Sequence, residues 1–516
     1  MRGGPHHYAE LHYAPVGPAF SRVWQDWPEV YLDAPWLLLP DEPLPLFMVW
    51  RDAHLFPCRI HSLRLRWLDP DGRPGQQALG GDWSLSEELA GVELGHFRPQ
   101  QPGTWDLWID GVAERHGRTR SFCNQLARGF AEHPLRITVA PGPDPRLPGL
   151  AWGDLQVHSA ATRDPVEFGP PLPLLKSAAR AGGLDWFCVT DHSYDLDDRE
   201  GPGMGSDPAW PRWHRLRQEI LQLNSESGAR ILLGEELSCG GLEGGILHLL
   251  LLAPPRPLAG SSDNGEGLPF RRAEHSLLDA LAAMGDHGLA VASHPGEAPG
   301  RLEGLLLRRR DWSLAELRQL GHWQALNGLD GKSLAAGLDK ARKLWSEGWR
   351  GVLLAGNDSH GNFALGRELT LPLLGVRSHR GHLFGRHRSG ILTDKPTPDR
   401  VLEELRAGRV LLGNGPVLCF QDGHGTPVFT TEAGPRELLA LAGGRLGLVR
   451  CVELLEGGPE GERVIQRHRP HSERWSCPLP VVPERGWLRA RMACDDGFAL
   501  TNPLFGKAHG PDPRRS

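Results

Sequence analysis

The chain has 516 residues, with 65 Gly and 45 Pro, and its 57 Lys and Arg against 63 Asp and Glu leave a formal net charge of −6. That length predicts about three domains with sizeable cores, and the Gly and Pro content predicts a loop-rich globular chain rather than a low-complexity one. Charges of both signs without long blocks argue against a general nucleic-acid binder or a protein of anionic membranes.

Eight cysteines, at 58, 123, 188, 239, 419, 451, 477 and 494, form no C-x-x-C pair, which argues against a disulfide framework or a zinc ribbon. The opening MRGGPHHYAE lacks the apolar core of a secretory signal. The longest apolar stretch, Ile246 to Ala253, is too short to span a bilayer. The expectation is a cytoplasmic protein acting on a small molecule, without membrane or general nucleic-acid partners.

Residues 1–147 read as β-rich: RIHSLRLRWL alternates Ile60, Leu63, Leu65 and Trp67 with polar residues and is followed by the turn DPDG. GTWDLWIDG and LRITVAP are further strands, and PGPDPRLPG reads as a linker. The tryptophans here are core and edge packing, or a stacking platform for a ring-shaped ligand. Residues 148–412 change pattern, with DLQVH, WFCVTDH, RILLGEEL, HLLLLAP, LAVASHPG and GVLLAGNDSHG reading as strands. Helical stretches fall near Leu174–Ala181, Trp210–Ser225, Glu274–His287, Ser333–Gly348 and Pro398–Gly408. Apolar strands alternating with helices predict a parallel sheet, most plausibly a barrel. GGLEGG at 240–245 lacks the lysine and the strand–loop–helix order of a phosphate cradle and reads as a hairpin turn before His248. Residues 413–516 return to strands and turns.

The strand ends carry the chemistry. In chain order they offer Asp154, Gln156 and His158, then Asp164, then Asp191 and His192, Glu235 and Glu236, His248, His294, and finally Asp358 and His360. A parallel α/β barrel gathers its strand ends on one rim. Carboxylates and imidazoles converging there point to bound metal ions. Gln156 and His158 alternate along one strand and therefore share a face. Arg163, Arg199 and Lys332 lie on predicted loops, where they either clamp an anionic substrate or are solvated charge. The run RSHRGHLFGRHRSG places His379, His382 and His387 among arginines, either at the mouth of a site or on a solvated loop.

Taken in order, GDLQVHS, VTDHS, GEEL, the His248 strand, SHPG and NDSHG resemble the polymerase-and-histidinol-phosphatase (PHP) superfamily of metallohydrolases. FGRHRSGIL, VLEELRAGRV, GNGP and LTNPLF resemble more narrowly its carbaryl-hydrolase-like branch. The resemblance covers roughly residues 150–506 and implies a distorted (β/α)7 barrel with two or three divalent ions of zinc, manganese or iron, which the strand patterns on either side flank with β-sandwich-like domains. Carried over by position, it implies that His158, Glu236 and Asp358 hold one ion. Glu236 would bridge to a second ion on His248 and His294, and Asp164, His192 and His360 would hold a third. Asp164, His192 and His360 would stand nearest the leaving group, and Asp154 and Asp191 would orient imidazoles; Arg163 and Lys332 are candidates to meet the substrate from their loop positions, not from the resemblance. Gln156 stands where the family pattern has histidine, a weaker ligand at best. The function implied is phosphoester hydrolysis by a metal-bridged hydroxide, with carbamate or aryl-ester hydrolysis, or a catalytically degenerate scaffold, as alternatives.

Overall fold

The computed structural model describes residues 26–507, apart from 127–132, 164–167, 201–205, 261–271, 300–303, 306, 327–330, 362, 366–367, 372–373 and 378–381. Strand accounts for 42% of it and helix for 16%, so sheets dominate. The N-terminal part is a ten-stranded sheet running from Glu29 to Val139. Its long strands Cys58–Leu68 and Gly103–Arg115 pair antiparallel. Ile60, Leu63 and Leu65 are buried there, as their alternation predicts.

The remainder is organised by a fourteen-stranded sheet. Leu150–Val157, Trp186–Val189 and Arg230–Gly240 run parallel. Arg230–Gly240 then turns back antiparallel on Ile246–Leu252, and the glycine-rich 240–245 segment closes that hairpin through Gly241 N–H to Gly245 O. Leu289–Ala292 is antiparallel to Ile246–Leu252, and His322–Leu326 and Val352–Ala355 continue in parallel. Helices Leu172–Gly182, Pro211–Asn224, Leu277–Met284, Gly331–Ser346 and Pro398–Ala407 fall where the sequence pattern puts them.

The expected (β/α)7 barrel between two sandwich-like domains is not what forms. The array is mixed rather than parallel, and one connection is a hairpin without a helix. The first strand gives its outer edge to Arg388–Leu392, antiparallel, so that edge is taken before Val352–Ala355 can pair along it. Among the described residues the first strand and the segment after Val352–Ala355 pair at the Val157–Ser359 bridge, and the sheet runs on past residue 413 through Trp487–Cys494 to Val449–Gly458 and Gly461–His468. The near-meeting at Val157 is what matters for function, because it brings the segments after the first and last strands side by side. Gly356 permits it: a Cβ there would lie 2.9 Å from Gln156 N and 2.7 Å from the Gln324 amide.

Candidate metal centre

Leu150–Val157 is buried on both faces, and Asp154, Gln156 and His158 have no exposed surface. His158 lies at its C-terminal end with Nε2 3.0 Å from Asp358 Oδ1 and 3.3 Å from Glu236 Oε2. Its Nδ1 lies 3.1 Å from Thr162 Oγ1, whose hydroxyl donates to Asp191 at 2.7 Å. Thr162 therefore accepts from the imidazole and passes its own proton toward Asp191, which fixes the ring with Nε2 turned inward. Asp191 also takes the N–H groups of Ser159 and Thr162 and the Ser159 hydroxyl.

Successive strand residues point to opposite faces, and this separates the two neighbouring glutamates of Arg230–Gly240. Glu236 faces the cluster. Glu235 faces away and accepts the Leu258 N–H at 3.2 Å, and burial raises its carboxyl well above the usual range. Glu236 Oε1 lies 3.0 Å from His248 Nδ1 and 3.5 Å from His294 Nε2, while Oε2 is 3.4 Å from His192 Nδ1. The Ser293 hydroxyl lies 3.1 Å from Glu236 Oε1 and 3.2 Å from Gln156 Oε1, placed to donate to either. Gln156 Nε2 in turn donates to Asp358 Oδ1 at 2.9 Å. His360 stacks on His158 with ring centroids 3.9 Å apart, and His192 stacks on Tyr194 at 4.6 Å.

Two of these residues sit in backbone conformations that side chains rarely adopt: His294 has φ +32° and Asp358 φ +52°. Such strain persists only where the surroundings impose it, and it gathers at functional sites.

The electrostatics match the geometry. Burial alone would lift the Glu236 carboxyl, but the His248 charge and hydrogen bonds from His158, His248 and His294 hold it well below the usual range. Asp358 is likewise lowered against its burial, chiefly by the hydrogen bond from His158. Burial would lower His158, yet its bonds to Asp358 and Glu236 raise it to about 10. His294 is raised against burial by Glu236 and then Glu297.

Three overlapping sets of donors result, each with its ligand atoms within 4.8 Å of one another: His158, His192 and His360; Glu236, His248 and His294; and His158, Glu236 and Asp358. The His248 Nδ1 atom faces two competing partners. It faces Glu236 Oε1 at 3.0 Å, which requires a proton on nitrogen, and Arg309 Nη2 at 3.0 Å, which requires a lone pair. One nitrogen cannot meet both demands at once, and a cation bound between Glu236 and His248 would take the lone pair that Arg309 otherwise uses.

The other residues singled out in the sequence take varied places. Asp154 orients no imidazole: it accepts from the Asn357 N–H and side-chain amide and from the Gly385 N–H, bracing the turn before Asp358. Asp191 reaches His158 only through Thr162. The Arg163 guanidinium pairs with Glu88 at 2.9 Å. Arg199 is exposed, its carbonyl accepting from Arg212 at 2.9 Å. Asp164, His379 and the side chain of Lys332 lie outside the described residues. His382 and His387 are buried against Asn357 rather than solvated. Ser293, Thr162, Asn357 and Arg309 are the residues sequence reasoning passed over. The first three stand in or beside the motifs already quoted, so adjacency was the available signal; Arg309 had none.

No family model and no curated protein matches the chain. Solved structures similar to it include a calcium binding mutant of Bacteroides uniformis β-glucuronidase 2, at 11% identity and a TM-score of 0.17, covering 92% of this chain and 60% of that one. Another is Bacteroides uniformis β-glucuronidase, at 12% identity, a TM-score of 0.20 and the same coverages. A glycosyl hydrolase family 2 member from Bacteroides cellulosilyticus matches at 10% identity and a TM-score of 0.16, covering 92% and 63%. The chain thus spans less than two thirds of the length of these structures, and likeness this low carries no argument about its fold or reaction. The expected membership of the PHP superfamily is corrected: no family model supports it, and the mixed sheet is not the (β/α)7 barrel that it implied. Phosphoester hydrolysis, the carbamate or aryl-ester alternative and the degenerate-barrel scaffold fall with it, as all three rested on that membership.

Proposed function

We propose that the cluster around Glu236 binds two or three divalent ions, zinc, manganese or iron, and acts on a small molecule. The observation that carries this reading is the overlap of three donor sets, two of them sharing the buried Glu236 carboxylate and two sharing His158. Imidazole and carboxylate donors without a thiolate suit these ions. Bound there, such ions would supply Lewis acidity and lower the pKa of water to about 7.

The chain's own residues supply the rest. Glu236 offers one oxygen to each neighbouring set, and Thr162 with Asp191 holds His158 with Nε2 inward. Gln156 and Ser293 tie Asp358 to Glu236. The His158, His192 and Glu236 side chains are fully buried, whereas those of His294 and Glu297 are 12% and 15% exposed, which supports entry of small species from that side. No described helix is long and apolar enough to cross a membrane. All eight cysteines are free thiols, which supports placement in the reducing cytoplasm.

The test is metal content by plasma mass spectrometry after reconstitution with Mn²⁺, Zn²⁺ or Fe²⁺ and desalting. Two or three ions per chain are expected in the wild type and at most one in Glu236→Gln. A wild-type protein that retains none refutes the reading.

A further inference from the structure

The ten-stranded N-terminal sheet has no residue in the cluster, yet it grips the segment that follows His360. Asp33 ends the strand Glu29–Asp33 and is 4% exposed. Its Oδ2 accepts the N–H of Phe363 at 3.1 Å, and its Oδ1 accepts those of Ala364 at 3.0 Å and Leu365 at 2.9 Å. Oδ1 also takes the Ala34 N–H at 2.8 Å. Neighbouring N–H groups converging on one oxyanion form an anion nest, and here the anion is a side chain from more than three hundred residues away.

The same sheet holds the Phe363 carbonyl, which accepts from Trp36 N at 3.1 Å, and the Phe384 carbonyl, which accepts from the Trp36 indole at 2.9 Å. Phe47 packs on the Phe363 ring at 4.9 Å. Residues 363–365 belong to no helix or strand, so no sheet or helix bonding satisfies these N–H groups. The arrangement opposes the ordinary preference of a carboxylate for water: burial raises Asp33 to about 6, although its backbone hydrogen bonds lower it. A second contact ties down the other ligand-bearing segment, for Arg51 Nη2 donates to the Arg163 carbonyl at 3.1 Å, one residue beyond Thr162.

We propose that Asp33 is a positioning residue of the metal centre: by clamping residues 363–365 it sets where His360 stands against His158 and His192. The N-terminal sheet is then a template for the site rather than a detachable attachment. The proposal rests on the cluster being a metal centre. It differs from simple adhesion between two parts of the chain in being selective. The donor sets containing His360 and Asp358 lie on or next to the clamped segment, whereas Glu236, His248 and His294 belong to strands Arg230–Gly240, Ile246–Leu252 and the turn after Leu289–Ala292.

The experiment compares full-length wild type, Asp33→Ala, Asp33→Asn and Ile60→Ala, the last removing buried N-terminal apolar volume away from the clamp. Stepwise Mn²⁺ affinities are measured by calorimetry, with thermal midpoints and amide hydrogen exchange recorded on the same samples. Asp33→Ala is expected to weaken one binding step by tenfold or more and leave another within threefold, with faster exchange at 358–365. Asp33→Asn, which keeps an acceptor, is expected to recover part of that loss. Ile60→Ala is expected to lower the midpoint and leave every affinity unchanged. Wild-type affinities throughout in Asp33→Ala, or an equal loss at every step in both alanine variants, overturn the proposal alone. A wild type that binds no Mn²⁺, Zn²⁺ or Fe²⁺ overturns the metal-centre reading and this proposal with it.

Discussion

In the metal-free protein His158 carries a proton on each ring nitrogen, one facing Thr162 and the other facing Asp358 and Glu236. An ion bound by Nε2 must displace the second proton. With the imidazole raised to about 10, that displacement costs about 3.4 kcal/mol at pH 7.5, from about 1.36 kcal/mol per pH unit. The sign follows directly: the proton competes with the ion, so apparent affinity rises with pH, close to tenfold per unit between pH 7 and 9. Mn²⁺ calorimetry at pH 7.0 and 8.5, each in two buffers of different ionisation heat, measures both the affinity and the protons released. About one proton per ion is expected at the step involving His158, and His294, also raised, adds release at its own step. His158→Gln should lose the slope and the proton at its step. Equal wild-type affinities at the two pH values, with no release, would refute the assignment of His158 as a ligand.

Further outcomes follow from the same contacts. Asp33 is raised from 3.8 to about 6, so the folded chain holds its proton more tightly than the unfolded one; its contribution is most favourable below pH 3.8 and is lost as pH rises through 6, by about 3 kcal/mol. Urea midpoints between pH 4 and 7 should therefore show that slope in the wild type and not in Asp33→Asn. Replacing Gln156 by histidine puts an imidazole beside Asp358 and should tighten Mn²⁺ binding about tenfold; unchanged calorimetric affinity removes Gln156 from the account. Arg309→Met takes a cation away from His248 Nδ1 and should strengthen binding at the Glu236, His248 and His294 set several-fold, most visibly at low salt. Weaker binding in that variant would show that Arg309 supports the site instead of opposing the ion.

Much of the cluster was legible from local rules. The two-residue period of a strand puts 156 and 158 on one face, and the same period points Glu235 and Glu236 to opposite faces. Strand-end motifs supplied His158, His192, Glu236, His248, His294, Asp358 and His360 as metal-capable groups, and the glycines at 240–245 marked the hairpin. These features depend on chain neighbours, whose geometry the backbone dictates. The long-range choices were different. Pairing of Arg388–Leu392 with the first strand, which prevents a regular closed barrel, is a competition for one strand edge that no local pattern records. The turn of Asp154 toward Asn357, the relay through Thr162, the approach of Arg309 to His248 and the clamp of Asp33 on residues 363–365 join groups far apart in the chain. Each depends on which buried donors are left facing which acceptors once the sheets have packed, and only the tertiary structure decides that.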